Sequence, residues 1–312
     1  MTQSDLLPPC PIAVVGLGAL GLPMAINLRA AGYRLRVHTR SRAAETDPAL
    51  QQGDATPAVC CNAPADAVGG CQALLLCVSD DAAVEAVLWG ERGAGPALAP
   101  GSLVIDCSTI SPAMAQAMAQ RLSERDVHYL DAPVTGGTEG ARAGTLTVLC
   151  GGEPDSTERA RPVLDTIGGS IHHFGPVGTG QRVKAVNQVL VAGSYAAVAE
   201  AMALGRAMDL PLGQVSKALA QGAAGSWALQ HRSKNMIQGD YPLGFKLELH
   251  RKDLAIALAA AEEHNITLPI SRQVVSMENA LIEAGFGQED VSAIARWFHQ
   301  ANDSLNPASN HP

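Results

Sequence analysis

Short apolar runs alternate with longer stretches of helical periodicity through the first half of the chain. Ile12–Val15, Tyr33–His38, Ala73–Val78, Leu103–Asp106, Val127–Leu130, Leu146–Cys150 and Ile171–Phe174 are each bounded by Gly, Pro or small polar residues and read as strands. Strands alternating with helices predict an α/β fold with a largely parallel sheet covered by helices. After Gly175 the pattern changes. Gln181–Met208, Leu212–Gln221 and Lys252–His264 are rich in Ala and Leu at helical spacing, and no strand is expected, so the second half reads as all-α. The run Gly175-Pro-Val-Gly-Thr179-Gly180 punctuates the junction. It predicts one domain over residues 1–175 and a second over 176–312, with Thr179 capping the first helix of the latter. The polar tail from Asn302 is expected to fray.

The length of 312 residues agrees with about two domains. The 22 Lys and Arg against 30 Asp and Glu give a net charge of −8, the wrong sign for a surface that neutralises nucleic-acid phosphates, so no nucleic-acid partner is expected. The 7 cysteines form no paired C-x-x-C framework and no His cluster stands at ligand spacing, which predicts reduced thiols and no metal site. Together with the lack of a charged and long apolar leader before Ile12, this places the protein in the cytoplasm. Ala185–Gly205 is apolar enough to resemble a membrane span, but Asn187, Gln188, Ser194 and Glu200 interrupt it. A helix buried between domains or subunits is expected there, and no membrane partner.

The first strand runs directly into Gly16-Leu17-Gly18-Ala19-Leu20-Gly21, a G-x-G-x-x-G at the start of a helix. Gly16 allows the tight turn, Gly18 lets the backbone approach a pyrophosphate, and Gly21 lets helix and strand pack closely, with the phosphates over the helix N-terminus. The motif predicts a dinucleotide site and by itself leaves nicotinamide and flavin both open. About 20 residues past the glycines an acid would bind the ribose of NAD, whereas an arginine would receive the extra phosphate of NADP. The chain has Thr39-Arg40-Ser41-Arg42 there, with no acid before Glu45, which favours NADP and keeps NAD as a possible cofactor.

At the end of a later strand stands Asp131-Ala-Pro-Val-Thr135-Gly136-Gly137. Two glycines beside a hydroxyl can expose backbone N–H groups to a carboxylate, or can simply form a turn. Lys184 and Asn187, three residues apart at the start of the long helix, share a face, so an ammonium and an amide can converge on one oxygen. Spacing alone does not distinguish that arrangement from a solvated lysine.

Taken together, Gly16–Ala25, Asp131–Gly137, Gly178–Gln188 and Phe245-Lys-Leu-Glu-Leu-His-Arg-Lys252-Asp253-Leu resemble the β-hydroxyacid dehydrogenase family, the group of 3-hydroxyisobutyrate dehydrogenase and 2-hydroxy-3-oxopropionate reductase. The four motifs occur in the family's order and span nearly the whole chain. The resemblance implies a Rossmann-type doubly wound sheet joined by a long interdomain helix to an all-α domain, assembled as a homodimer or homotetramer. It implies transfer of hydride between a nicotinamide and a small hydroxyacid or aldehyde-acid. Lys184 matches the general acid/base, Asn187 the amide that holds substrate, and Thr135, Gly136 and Gly137 the carboxylate-binding segment. Val78 and Ser79, Ser108 and Thr109 match loops beside the cofactor. Lys252 matches a lysine that closes over it, with Phe245 nearby, and Asp253 lies at the substrate side.

Thr135 stands where many members have Ser, and Gln188 where several have a second Asn. Gly225-Ser226-Trp227 offers either an aromatic wall for the pocket or filling for the helical core. Two alternatives remain. An imine reductase on this fold typically lacks the lysine that stands at position 184, and a non-catalytic dinucleotide sensor would be free to lose Lys184, Asn187 and the double glycine, all of which are present.

Overall fold

The computed structural model describes residues 6–298, so the tail from Asn302 lies outside the described residues. The chain separates into two compact units, Met1–Lys184 and Ala185–Pro312. That division falls inside the long helix, past the expected junction at Gly175.

In the first unit the strands are β1 (Pro11–Val15), β2 (Arg34–His38), β3 (Val59–Cys60), β4 (Ala73–Leu76), β5 (Leu103–Asp106), β6 (His128–Asp131), β7 (Val134–Thr135), β8 (Leu146–Cys150) and β9 (Gly168–His173). The first six form one parallel sheet in the order β3-β2-β1-β4-β5-β6. This is the doubly wound order of a dinucleotide-binding fold, with ligands expected outside the carboxyl ends where the order reverses between β1 and β4. Every residue of β4 and β5 is buried, as a parallel sheet covered on both faces requires. Alternate side chains divide between two cores. Ile12, Val14, Leu75 and Ile105 pack with Met24, Leu28 and Leu164, while Ala13, Val15, Leu74 and Leu76 pack with Val84, Leu88 and Met118.

The three remaining strands form a second sheet, β7-β8-β9, in which β7 pairs antiparallel and β9 parallel to β8. β3 and β7 escape the apolar pattern because each has two residues, and both of β3's are exposed at a sheet edge.

In the described part of the second unit the regular elements are helical, apart from one isolated bridge between Lys246 and Asp290. Thr179–Ala207 forms one continuous helix, followed by Leu212–Leu219, Trp227–His231, Ser233–Gln238, Leu247–Glu263 and Pro269–Glu283. Tyr195, Val198, Met202, Leu229, Leu247, Leu254, Val274 and Leu281 make its core. The helix through Lys252 starts earlier than the periodicity suggests, because Leu247 is itself a core residue at its first turn. Trp227 does not fill the core. It is 41% exposed, with its ring 4.5 Å from that of His231 and the Arg232 guanidinium 4.7 Å above it.

The Thr179–Ala207 helix passes the length and hydropathy test for a membrane span, a test that core helices also pass. Ala192, Tyr195, Ala199 and Met202 are buried while Val186, Leu190 and Leu204 are exposed. One face of the helix is therefore buried within the chain, and the other carries exposed apolar residues.

Candidate active site

The glycine turn has the geometry its spacing predicts. Gly16 sits at φ +95° with its N–H donating to the His38 carbonyl at 2.9 Å, and a Cβ there would run into the Cys77 carbonyl. A Cβ at Gly21 would strike the Gly16 carbonyl, whereas one at Gly18 would meet nothing within 4 Å. The protein thus needs no glycine at position 18, and the space left open is what a bound pyrophosphate would use, so the turn fits a dinucleotide. Leu17 is buried and Leu20 packs on the core, while Gly18 and Ala19 face outward. A cleft of about 410 Å³ opens beside them, walled by Leu22, Pro23 and Ile26, with Arg142 also lining it. Arg142 has no signal in local sequence, since it lies on a different helix.

At the end of β2 the first acid, Glu45, is turned inward. It is 1% exposed, accepts the Thr39 N–H at 2.9 Å and pairs with Arg42 at 3.1 Å. Arg42 also donates to Asn62 Oδ1 at 2.7 Å. Arg40 and Ser41 are exposed, and Arg40 makes no ion pair among the described residues. The two arginines therefore differ, Arg40 being the one expected at the cofactor with Thr39 and Ser41. Arg42 is tied into the loop, and Arg40 is available to an anion.

The ends of β4 and β5 are stitched together. The Val78 N–H donates to Ser108 Oγ at 2.9 Å, and the Ser108 N–H donates to Asp106 Oδ1 at 2.9 Å. Tyr129 Oη–H donates to Asp106 Oδ2 at 2.8 Å. Burial pushes Asp106 up to about 6, against these hydrogen bonds. Ser79 donates to Asp80, which caps the Asp81–Trp89 helix. Thr109 is half-buried beside Ser108. The turn after β1 and the loops after β2, β4 and β5 thus stand on one edge of the sheet.

Thr135 is half-buried, and Gly136 and Gly137 have φ of +129° and +65°, a backbone that favours glycine. Lys184 is 6% exposed, and its Nζ donates to the Val134 carbonyl at 2.9 Å. The structure therefore brings the lysine ammonium to the residue that precedes Thr135. Thr179 does not cap the helix. It is the first helical residue, and its hydroxyl donates to the Pro176 carbonyl. The helix start is held instead by Asp131, whose two oxygens accept the N–H groups of Gly178 at 2.7 Å and Gln181 at 2.9 Å. Burial pushes the Asp131 carboxyl up to about 6. No local signal marks it, because caps are ordinarily supplied from the adjoining residues.

In the helical unit, Asn187 Nδ2 donates to Gln188 Oε1 at 2.7 Å, and Gln188 Nε2 donates to Asp253 Oδ2 at 2.6 Å. Lys252 Nζ lies 2.7 Å from Asp253 Oδ1. Asp253 is buried, with one oxygen on Gln188 and the other on Lys252. Phe245 donates its N–H to Asp290, a buried carboxylate that also takes the Gly244 N–H and pairs with Arg232 at 3.3 Å. One turn before Asp253, His250 Nδ1 lies 2.6 Å from Glu278 Oε1, both sealed from solvent. Burial opposes a charged ring, but Glu278, Asp253 and the Gln188 backbone together hold His250 above its ordinary value. Among the described residues no group of three or more His, Cys, Asp or Glu is placed to hold a metal ion.

These features define a protein with a dinucleotide-binding domain of Rossmann type and a helical domain. Residues 11–175 match the family described as the NAD binding domain of 6-phosphogluconate dehydrogenase, and residues 178–298 that described as NAD-binding of NADP-dependent 3-hydroxyisobutyrate dehydrogenase. The chain is 35% identical over 294 residues to an NAD-dependent L-serine dehydrogenase of Pseudomonas aeruginosa, covering 92% of this chain and 97% of that one. It is 35% identical over 285 residues to the 2-hydroxy-3-oxopropionate reductase of Escherichia coli, covering 91% and 96%. A 3-hydroxyisobutyrate dehydrogenase of Salmonella typhimurium superposes with a TM-score of 0.81 at 29% identity, over 92% of this chain and 99% of that one. The chain belongs to the β-hydroxyacid dehydrogenase family. It is an NAD(P)-dependent dehydrogenase acting on hydroxyl groups.

Proposed function

We propose that this enzyme interconverts a short β-hydroxyacid and its aldehyde-acid with NADP(H) as preferred cofactor and Lys184 as general acid/base. The observation that carries the reading is the buried Lys184 ammonium held on the Val134 carbonyl, next to the Thr135–Gly137 segment. When bound, the nicotinamide supplies or accepts the hydride at the substrate carbon. Lys184 Nζ donates the proton to the carbonyl oxygen in reduction and removes it from the hydroxyl in oxidation. Thr135 and the N–H groups of Gly136 and Gly137 anchor the carboxylate, which fixes the reacting carbon in position. Asn187, one turn further along the same helix, orients the substrate oxygen.

The substrates named for the three relatives share one feature: each carries a hydroxyl or aldehyde on the β-carbon of a carboxylate. An anchor for one carboxylate beside a lysine suits that spacing. The preference for NADP is supported by exposed Arg40 and by Glu45 being buried beneath the end of β2, where its carboxylate is taken by the Thr39 N–H and Arg42. A homodimer or homotetramer is supported by the exposed apolar face Val186, Leu190 and Leu204, the last two 70% and 62% accessible. A monomer mass by light scattering would remove that part of the reading. All 7 cysteines are free, which supports a cytoplasmic location, to be checked by fractionating cells that express the tagged chain.

The deciding experiment follows reduced-cofactor absorbance with NADPH and then NADH over C3 and C4 aldehyde-acids, beside Lys184→Ala. Oxidation of NADPH is expected with at least one of them, and the variant should lose at least ~100-fold in turnover with cofactor affinity little changed. Near-normal turnover in Lys184→Ala would remove the lysine from the mechanism, and faster oxidation of NADH would reverse the cofactor assignment.

A further inference from the structure

Lys184 acts from the second turn of a helix whose first turn is built by a distant strand. Both oxygens of the Asp131 carboxylate, fully removed from solvent, are spent on the N–H groups of Gly178 and Gln181, two of the donors a helix start leaves unpaired. The packing around that carboxylate leaves no slack. A Cβ at Gly151 would lie 2.6 Å from Asp131 Oδ1, and one at Gly180 would lie 2.7 Å from Oδ2. The next residue, Gln181, faces the cofactor loop. Its Nε2 donates to the Ser108 carbonyl at 2.8 Å, and its Oε1 accepts the Ile110 N–H at 3.2 Å, bracketing Thr109 from both sides.

We propose that Asp131 and Gln181 are positioning residues for the reaction. Asp131 fixes where the helix begins, and hence where Lys184 Nζ stands, while Gln181 ties that same turn to the Ser108–Ile110 loop. The proton donor and the loop beside the nicotinamide are then referenced to one turn of backbone. An ordinary cap does not account for this arrangement. Thr179 was at hand to cap the helix at no electrostatic cost, yet the position is held by a buried carboxyl that burial and neighbouring Asp106 push up to about 6. Such an expensive group is retained where location matters more than stability. The proposal rests on Lys184 being the acid/base.

The test uses Asp131→Asn and Gln181→Met in the full-length enzyme, titrated with NADPH by fluorescence and assayed with the aldehyde-acid the wild type reduces. Asparagine offers one acceptor for two N–H groups and presents an NH2 to the other. Asp131→Asn is expected to bind one NADPH per chain with affinity within about threefold of wild type, and to lose at least ~10-fold in kcat per titrated site. The deuterium isotope effect on kcat from 4-deuterated NADPH is expected to rise, because the transfer step becomes slower than product release. A cap with a purely structural role would lower the thermal midpoint and the titrated fraction while leaving kcat per site and the isotope effect unchanged, and that result would overturn the proposal. If Asp131→Asn does not fold, Gln181→Met decides, since it leaves the cap in place: the same loss with a larger isotope effect supports the proposal, and unchanged values overturn it. Retained activity in Lys184→Ala would instead overturn the assignment of the acid, a separate failure.

Discussion

In the sheet unit the residues expected to meet the cofactor are held by backbone. Gly16, Gly18 and Gly21 shape a turn in which two positions have no room for a Cβ, and Thr39, Val78 and Ser108 are fixed through their N–H groups. In the helical unit the corresponding work is done by side chains. Asp253 joins Gln188 to Lys252, and His250, one turn before it on the same helix, pairs with Glu278 of the Pro269–Glu283 helix. The difference follows from geometry. A strand end leaves backbone N–H groups outside the ladder, here taken up by Glu45, Ser108 and Asp106, whereas a helix interior has used its own and must present side chains. The backbone-built site is sensitive to an added methyl group, and the side-chain-built one to a lost charge.

The sharpest way to break that contrast is to add a Cβ at two neighbouring glycines. Gly21→Ala drives a methyl group into the Gly16 carbonyl and is expected to lower unfolding free energy by about 3 kcal/mol or to prevent folding. Gly18→Ala meets no protein atom within 4 Å, so its stability should stay within about 0.5 kcal/mol of wild type while NADPH affinity falls at least ~10-fold. Denaturant melts and cofactor titration of both variants read this out. Equal loss of stability in the two would show that the turn is not shaped as described.

The side-chain half of the contrast is tested at Glu278. Removing one member of a buried pair strands the other, and Glu278→Gln is expected to cost about 3 kcal/mol near pH 6. His250 is raised above 6.5, so the stability it contributes is fully present below about pH 6.5 and is lost as pH rises through its folded value, a slope the variant should erase. In the sheet unit Asp106 and Asp131 are raised from 3.8 to about 6, which has the same sign in a lower window. The stability tied to their neutral forms is present below about pH 3.8 and is lost as pH rises to about 6. Hydrogen exchange followed separately in the two units should fall in these two windows. One shared window would end the distinction.

The same division explains what could be read from the chain in advance. The turn at Gly16–Gly21, the parallel sheet and the change to helices after Gly175 were legible because each is a local pattern of spacing and periodicity. Lys184, Asn187 and Thr135 were legible as candidates because family resemblance preserves short motifs. What was not legible depends on pairs distant in sequence. Asp131 caps a helix that starts at Thr179, His250 pairs with Glu278, and Asp290 holds the Phe245 backbone. Thr179, a residue type well suited to capping, misled for that reason. Arg40 was the expected contact at the end of β2, and the tie of Arg42 to the inward-turned Glu45, which sets the two arginines apart, was not legible.

That separation yields the mildest prediction. Arg40 is exposed and unpaired with any acid among the described residues, so Arg40→Ala is expected to remove the charge-assisted contact proposed for a 2′-phosphate and little else. KM for NADPH is expected to rise about tenfold while KM for NADH stays within about twofold, with kcat unchanged on both. Arg42 is different in kind. It bonds Glu45 and Asn62, so Arg42→Ala loosens the loop that carries Thr39 and should weaken both cofactors alike. The ratio of NADPH to NADH efficiency in the two variants is therefore the quantity to compare. A ratio moved by Arg42→Ala and not by Arg40→Ala would mean that the tethered arginine meets the phosphate, and that this end of the site, too, is built by a side chain rather than by the strand end behind it.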